Sequence, residues 1–414
     1  MEQEAAQRLV AEAAREVRRG ASAEGTSGSH VVTLVNAILD TALAEDATDI
    51  HLEPMGGRLR IRMRVDGLLR ERPIQFPTAL APVIIARLKV MAGLDTAKRN
   101  RPQDGQIRYR MGERSIDMRV AVLPVVDGER MVVRIMDAEE RFLSCTELGF
   151  TAHNQELFER LIHRPTGLLL LCGPMNSGKT TTLYAALSAL NEPSCHIMTL
   201  EDPVERRIEG ISQFEVHAEA GLTFLAGLRA ALRQDVQKIL LGEIRDRETA
   251  EMAVRIALTG HALFSTLHTE DTVSAVFRMI EMGVPPYLLA ATLSGVIAQR
   301  LVRRVCVHCR EAYAVPADSR ERVQLGDLYQ DGMELVRGRG CDHCHGTGYR
   351  GRMAIHEILP ISARIRTAIL GAGDQEALRC AAAADDIETL WQDGVAKACA
   401  GETTLAEVGR ALYG

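Results

Sequence analysis

The chain has 414 residues, enough for two to four domains with separate cores. Hydrophobic residues make up 46% and charged residues 25%, ordinary for soluble globular protein, while aromatics at 4% leave the core to aliphatic side chains. A formal net charge of −6 supplies no general attraction to nucleic acid or anionic lipid, so no nucleic-acid partner is expected.

The opening residues, MEQEAAQRLV, carry acids where a signal peptide carries lysines and an apolar run. No stretch of about 18 uncharged apolar residues occurs, as a spanning helix needs. The nearest, 284–298, opens with Pro285 and Pro286 and runs into Gln299 and Arg300. These features predict a cytoplasmic protein. Residues 3–19 pattern as a helix and 20–30, GASAEGTSGSH, as a flexible polar linker, so 1–29 form an N-terminal segment. A second helix follows over about 31–45. In 58–65, Leu59, Ile61, Met63 and Val65 alternate with Arg58, Arg60, Arg62 and Arg64, a strand with one apolar and one arginine face. Asp66-Gly67 supplies a hairpin turn. A second hairpin turns at Gly112, 131–136 is another strand, and 79–92 a helix. Residues 30–137 therefore read as an α+β domain.

From about residue 140 the pattern changes. The apolar run Gly167–Cys172 ends in a Gly-rich loop, and further strand-like runs lie at 196–200, 238–242 and 262–267 with helical segments between them. Strands alternating with helices predict a parallel sheet covered on both faces. The loop, GPMNSGKT at 173–180, fits G-x-x-x-x-G-K-[ST] between a buried strand and a helix. Loop amides and the positive end of the helix hold phosphates in such a site. Gly173, Pro174, Met175, Asn176, Ser177, Gly178, Lys179, Thr180 and Thr181 form the binding set. Within it Lys179 reaches the terminal phosphates and the Thr180 hydroxyl ligates Mg²⁺. ATP and Mg²⁺ are thus the expected ligands.

A phosphate loop needs an acid at a neighbouring strand end to hold Mg²⁺ or polarise water. Glu243, after Ile239–Gly242, and the set Glu201, Asp202 and Glu205, after Leu200, stand at such ends. His261 and His268 bracket the strand ALFSTL, and each is either a satisfied structural histidine or, for His268, a γ-phosphate sensor.

Together these segments resemble the secretion ATPases of type II secretion and type IV pilus assembly. The resemblance rests on GPMNSGKTTTLY (173–184), LEDPVE (200–205), LRQDVQKILLGEIRD (232–246) and LTGHALFSTLHT (258–269). Upstream it rests on TDIHLEP (48–54), RLKVMAGLDTAKRNRPQDGQI (87–107) and IDMRVAVLPVVDGERMVVRI (116–135). It implies a PAS-like domain at 30–137 closing over a RecA-like ATPase domain at 138–305, within a homohexamer. It further implies Glu243 as general base, Glu201, Asp202 and Glu205 as organisers of metal and water, His268 on the γ-phosphate, and Arg119 and Arg134 as arginine fingers. The implied work is assembly of a pseudopilus or pilus at the inner face of the cytoplasmic membrane. The implied partners are an inner-membrane platform protein and a cytoplasmic docking protein. Three positions depart from the family pattern: Met175-Asn176 replace Thr-Gly, Lys238 replaces an apolar residue, and the N-terminal docking domain is missing or reduced to residues 3–19. Asn tolerates positive φ, so the loop geometry is expected to survive.

Nine cysteines in a cytosolic chain are not a disulfide framework. Cys145, Cys172, Cys195, Cys380 and Cys399 are scattered and read as buried small residues. Cys306-x-x-Cys309 and Cys341-x-x-Cys344 instead present four thiolates for structural Zn²⁺ in a module at 306–352. His308, His343 and His345 stand nearby, but four cysteines suffice. In the resembling family this knuckle belongs to assembly motors rather than retraction motors. Residues 353–414 read as a helical C-terminal region. A RecA-like nucleic-acid translocase and a non-hydrolysing nucleotide-gated scaffold are the alternative readings.

Overall fold

The computed structural model describes residues 3–18, 30–136, 142–316, 318–371 and 374–413; the expected linker, apart from His30, lies outside these. The chain divides into two compact units, Met1–Arg141 and Phe142–Gly414.

In the first unit, α1 (Gln3–Arg18) and α2 (His30–Ala44) precede β1 (Ala47–Met55), β2 (Arg58–Val65), β3 (Leu68–Glu71) and β4 (Phe76–Pro77). Helix α3 (Ala81–Met91) is followed by β5 (Gln103–Met111), β6 (Arg114–Val125) and β7 (Gly128–Met136). The strands pair antiparallel in the order β3-β2-β1-β7-β6-β5, with β4 on β2. The alternation in β2 sorts as its period requires, with Leu59, Ile61, Met63 and Val65 buried. The arginine face is ion-paired rather than merely solvated: Arg60 and Arg62 reach Glu53 at 2.9 and 2.8 Å, and Arg64 reaches Asp49 at 3.5 Å. Helix α1 is not a separate appendage, because Val10, Ala13 and Ala14 join the core of this unit.

In the second unit, α4 (Ala152–Ile162) precedes β8 (Gly167–Cys172), α5 (Lys179–Leu190), β9 (Ile197–Glu201), β10 (Ser212–Glu215) and α6 (Phe224–Ala231). Next come β11 (Lys238–Leu241), α7 (Arg247–Leu258), β12 (Ala262–Leu267), α8 (Thr272–Glu281), α9 (Pro286–Thr292) and β13 (Leu293–Val305). The strands β14 (Arg310–Ala314), β15 (Glu334–Gly338) and β16 (Tyr349–Pro360), with α10 (Arg320–Leu325), lead to α11 (Ala363–Leu370), α12 (Gln375–Ala384), α13 (Leu390–Cys399) and α14 (Leu405–Tyr413). The main sheet runs β10-β9-β11-β12-β8-β13-β16; only β16, on its edge, is antiparallel to its neighbour. Leu168, Leu170 and Cys172 enter one core and Leu169 and Leu171 another, so β8 is covered on both faces and reads as an unbroken apolar run.

Two expectations change. The segment 293–305, partly read as the nearest thing to a spanning helix, is a strand buried on both faces, which hides its period of two. The division at 352/353 cuts β16, a strand of the main sheet. The cysteine module is thus inserted between two paired strands. Of the five scattered cysteines only Cys172 is buried; Cys145 and Cys195 are half-buried, and Cys380 and Cys399 are exposed on α12 and α13. No helix among the described residues is long and apolar enough to cross a membrane.

The C-terminal helix is tied to β13 by a buried charge. Glu407 accepts from the Arg303 amide at 3.0 Å, from Arg303 Nη2 at 2.7 Å and from Arg410 Nη2 at 2.6 Å. Burial raises its pKa, but the Arg410 and Arg303 contacts outweigh that and hold it below the ordinary 4.5. A depressed carboxylate contributes stability above its unfolded value and loses it as pH falls through the folded value. Glu407→Gln is expected to cost about 1.5–3 kcal/mol at pH 7. The gap from the unmodified chain should close below pH 4.5, as read by urea unfolding at both pH values.

Candidate active site

Strands β9, β11, β12 and β8 are consecutive neighbours and parallel, so their C-terminal ends share one edge, where α/β sheets place ligands. From that edge emerge the loop 173–178, Glu201 and its followers, Glu243, and His268. His261 immediately precedes β12 at the opposite edge, with its ring against Thr259 and the Ile256 carbonyl, and takes no part.

The loop has the required backbone. Gly173 (φ 152), Asn176 (φ 62) and Gly178 (φ 86) all lie at positive φ, so Asn176 does adopt the left-handed conformation expected of it. Met175 is 74% exposed and packs on nothing that would distort the loop. Lys179 is 8% exposed, and its ammonium donates to the Gly173 and Pro174 carbonyls at 2.7 and 2.9 Å. Burial is the main cause that pushes its pKa down to about 8. Ser177 Oγ is buried without a hydrogen-bond partner among the described residues. A buried hydroxyl and a buried ammonium at the head of a helix whose first amides lack intrahelical partners suit a polyphosphate.

The acids divide. Thr180 Oγ1 and Glu205 Oε1 lie 3.5 Å apart, a place for Mg²⁺ between hard oxygen ligands. Glu243 bonds Arg245 and lies 3.3 Å from His268 Nε2. Burial raises the Glu243 pKa, but Arg245 and His268 together hold it below the ordinary carboxylate value, so it is ionised, as a base must be. Asp202 is exposed, 4.0 Å from Arg245. Glu201 departs from its expected role as a metal organiser. It is buried, and its carboxylate is taken up by the Tyr184 hydroxyl, Thr199 Oγ1 at 2.5 Å and Gln213 Nε2 at 3.2 Å. Those bonds tie α5, β9 and β10 together. Thr181 is exposed on the first turn of α5.

Two residues near these motifs escaped sequence reading. Arg245 stands two positions beyond Glu243, and its charge in a catalytic loop was the available signal. Gln299 interrupts the apolar run of β13, and it bonds the phosphate loop from below.

In the first unit, Arg119 and Arg134 are direct cross-strand partners on β6 and β7. Arg134 Nε donates to Asp49 Oδ1 at 3.1 Å, while Arg119 is half-buried and has no ion pair with a described residue. Two guanidiniums side by side with one countercharge form a cationic doublet.

Cys306, Cys309, Cys341 and Cys344 have all their sulfurs within 4.8 Å of one another. The Cys306–Cys341, Cys309–Cys344 and Cys341–Cys344 separations are 3.9, 3.8 and 3.8 Å. A tetrahedron of Zn–S bonds of about 2.3 Å has S–S edges of about 3.8 Å. The donor set therefore fits Zn²⁺ with its coordination closed by protein. Burial raises the Cys344 pKa, yet the Cys341 and Gly348 amides outweigh it and pull it to about 6, toward the thiolate a metal needs. His308 and His343 stack on each other at 3.8 Å and lie outside the four-sulfur cluster.

A mostly parallel α/β sheet carrying a Gly-Lys-Thr phosphate loop, a strand-end glutamate and a facing histidine defines a P-loop ATPase. Residues 24–410 match the family described as "Type II/IV secretion system protein", and the chain belongs to that family. It is 45% identical over 389 residues to "Type II secretion system protein E" of Dickeya dadantii, covering 94% of this chain and 76% of the relative. It is 42% identical over 374 residues to "Type IV pilus assembly ATPase PilB" of Thermus thermophilus, covering 90% of this chain and 42% of that longer protein. Among solved structures, the pilus retraction motor PilT with bound ADP superposes with a TM-score of 0.59 at 25% identity, over 90% of this chain and 95% of PilT. The Legionella pneumophila ATPase DotB shares the fold with a TM-score of 0.68 at 20% identity, over 91% of this chain and 95% of DotB.

Metal analysis of the purified chain is expected to find one zinc per chain. Cys309→Ser should lower that occupancy and the melting temperature together, because structural zinc contributes directly to folding.

Proposed function

We propose that this secretion ATPase couples ATP hydrolysis to assembly of a type II secretion pseudopilus or type IV pilus, working as a homohexamer at the inner face of the cytoplasmic membrane. The observation that carries the reading is the convergence on one sheet edge of Lys179, the Thr180–Glu205 pair and the Glu243–His268 pair. The loop amides and Lys179 bind the phosphates, and Thr180 with Glu205 would hold Mg²⁺, which supplies charge neutralisation at the transferring phosphoryl group. Glu243, ionised and released from Arg245, takes the proton of the attacking water. His268, within reach of Glu243, orients toward the departing phosphoryl oxygens. Asp202, facing Arg245, offers that guanidinium an alternative partner when Glu243 is engaged.

Arg119 and Arg134 act as cations that meet the γ-phosphate of a bound nucleotide. Their adjacency supports this, since like charges side by side are unfavourable until an anion arrives. The tetracysteine centre, which the assembly branch carries, supports extension rather than retraction. A membrane platform protein and a cytoplasmic docking protein are the partners this work requires.

Phosphate release by the purified chain with Mg-ATP tests the chemistry. Lys179→Ala and Glu243→Gln are each expected to lower turnover about 10²-fold or more, while Glu243→Gln keeps nucleotide binding. Retained turnover in both variants would falsify the chemistry. Added DNA is expected to leave the rate unchanged, which separates this motor from a nucleic-acid translocase.

A further inference from the structure

The floor of the phosphate loop belongs to β13, a strand that contributes to none of the motifs. Gln299 is 2% exposed. Its Nε2 donates to the Ser177 carbonyl at 2.8 Å, and its Oε1 accepts from Thr182 Oγ1 at 2.7 Å. One amide thus spans the last part of the loop and the first turn of α5, the two segments whose separation sets the phosphate cradle. Position 299 crowds both loop glycines, Gly173 through its backbone and Gly178 through its side chain. A Cβ on Gly173 would meet the Gln299 carbonyl oxygen at 2.5 Å, and one on Gly178 would meet Gln299 Nε2 at 2.8 Å.

The next residue reaches the other half of the site. Arg300 is 7% exposed; its Nη1 donates to the Gln299 carbonyl at 3.1 Å and its Nη2 to the Glu270 carbonyl at 2.8 Å. Glu270 lies two residues beyond His268. Two consecutive polar side chains, buried where apolar ones would cost less, therefore hold the phosphate loop and the histidine-bearing segment from one strand.

We infer that Gln299 and Arg300 are positioning residues for ATP turnover, Gln299 setting the spacing of the phosphate loop and Arg300 fixing the His268 segment relative to it. A purely structural role would change stability alone. A positioning role splits the kinetic constants. Loosening the loop weakens the hold on bound phosphates and raises KM, whereas releasing the His268 segment removes an interaction made in the transition state and lowers kcat.

The inference rests on reading 173–180 as the ATP-binding loop, and the experiment keeps the two separable. Steady-state ATPase kinetics, binding of a fluorescent ATP analogue and melting curves are measured on the full chain and its variants. The pair T182V/Q299L makes both partners of the Thr182–Gln299 bond apolar, which returns the part of the stability that Q299L alone loses by leaving the Thr182 hydroxyl unpaired; the Ser177 carbonyl still lacks its donor. The expected result is a melting temperature above that of Q299L alone, with KM still raised about tenfold. R300K is expected to lower kcat about tenfold with KM almost unchanged. A KM that recovers along with stability in the double variant overturns the proposal, as does an R300K variant whose kcat is normal. Should the double variant not fold, T182V alone carries the test: KM rises in a folded protein, or the proposal fails. An unmodified chain that binds no nucleotide removes the ATP reading and this inference with it. Equal binding by every variant removes this inference only.

Discussion

Parallel register is the constraint on which the site depends. Four strands running side by side in one direction deliver their C-terminal ends to one edge, and at a spacing of about 4.8 Å those ends span roughly 15 Å. Segments scattered from residue 173 to residue 268 thereby become neighbours. The covering of both faces by helices buries everything between the strand ends, so chemistry is confined to the loops. Glu201 marks the limit. It is the last residue of β9, still inside the covered layer, and its carboxylate is consumed by Tyr184, Thr199 and Gln213. Glu205, four residues on, is exposed and reaches Thr180.

Two charged groups of the site are held by the protein itself. Lys179 turns inward onto two loop carbonyls, and Arg245 occupies Glu243. Each of these contacts must be exchanged when a triphosphate enters. The ammonium gives up neutral acceptors for anionic ones, a stronger bond in a site of low dielectric.

The cysteine module is closed around its four sulfurs, which excludes it from catalysis and leaves it a structural task. Because it is inserted between β13 and β16, its integrity bears on the pairing of those strands, and β13 is the strand that supports the phosphate loop. Helices α13 and α14 pack against the same insertion through Val395, Ala398 and Leu405. The C-terminal region and the module are thus one body with the sheet edge, not successive modules along the chain.

Local pattern alone determined the phosphate loop, the alternation of β2, the two cysteine pairs and the parallel strand runs at 167–172, 196–200, 238–242 and 262–267, because each depends on residues adjacent in the chain. Even the left-handed Asn176 was legible from its side chain. Tertiary structure decided what depends on burial by distant segments. It made 293–305 a strand whose period vanishes under two covered faces, brought Val10, Ala13 and Ala14 into the first core, and buried Glu201 among Tyr184, Thr199 and Gln213. It also set Gln299 beneath the loop from more than a hundred residues away in sequence, a contact only the folded sheet can make. The physical reason is the same in each case. Backbone conformation and coordination chemistry are written locally, whereas the environment of a side chain is set by whatever the rest of the chain packs against it.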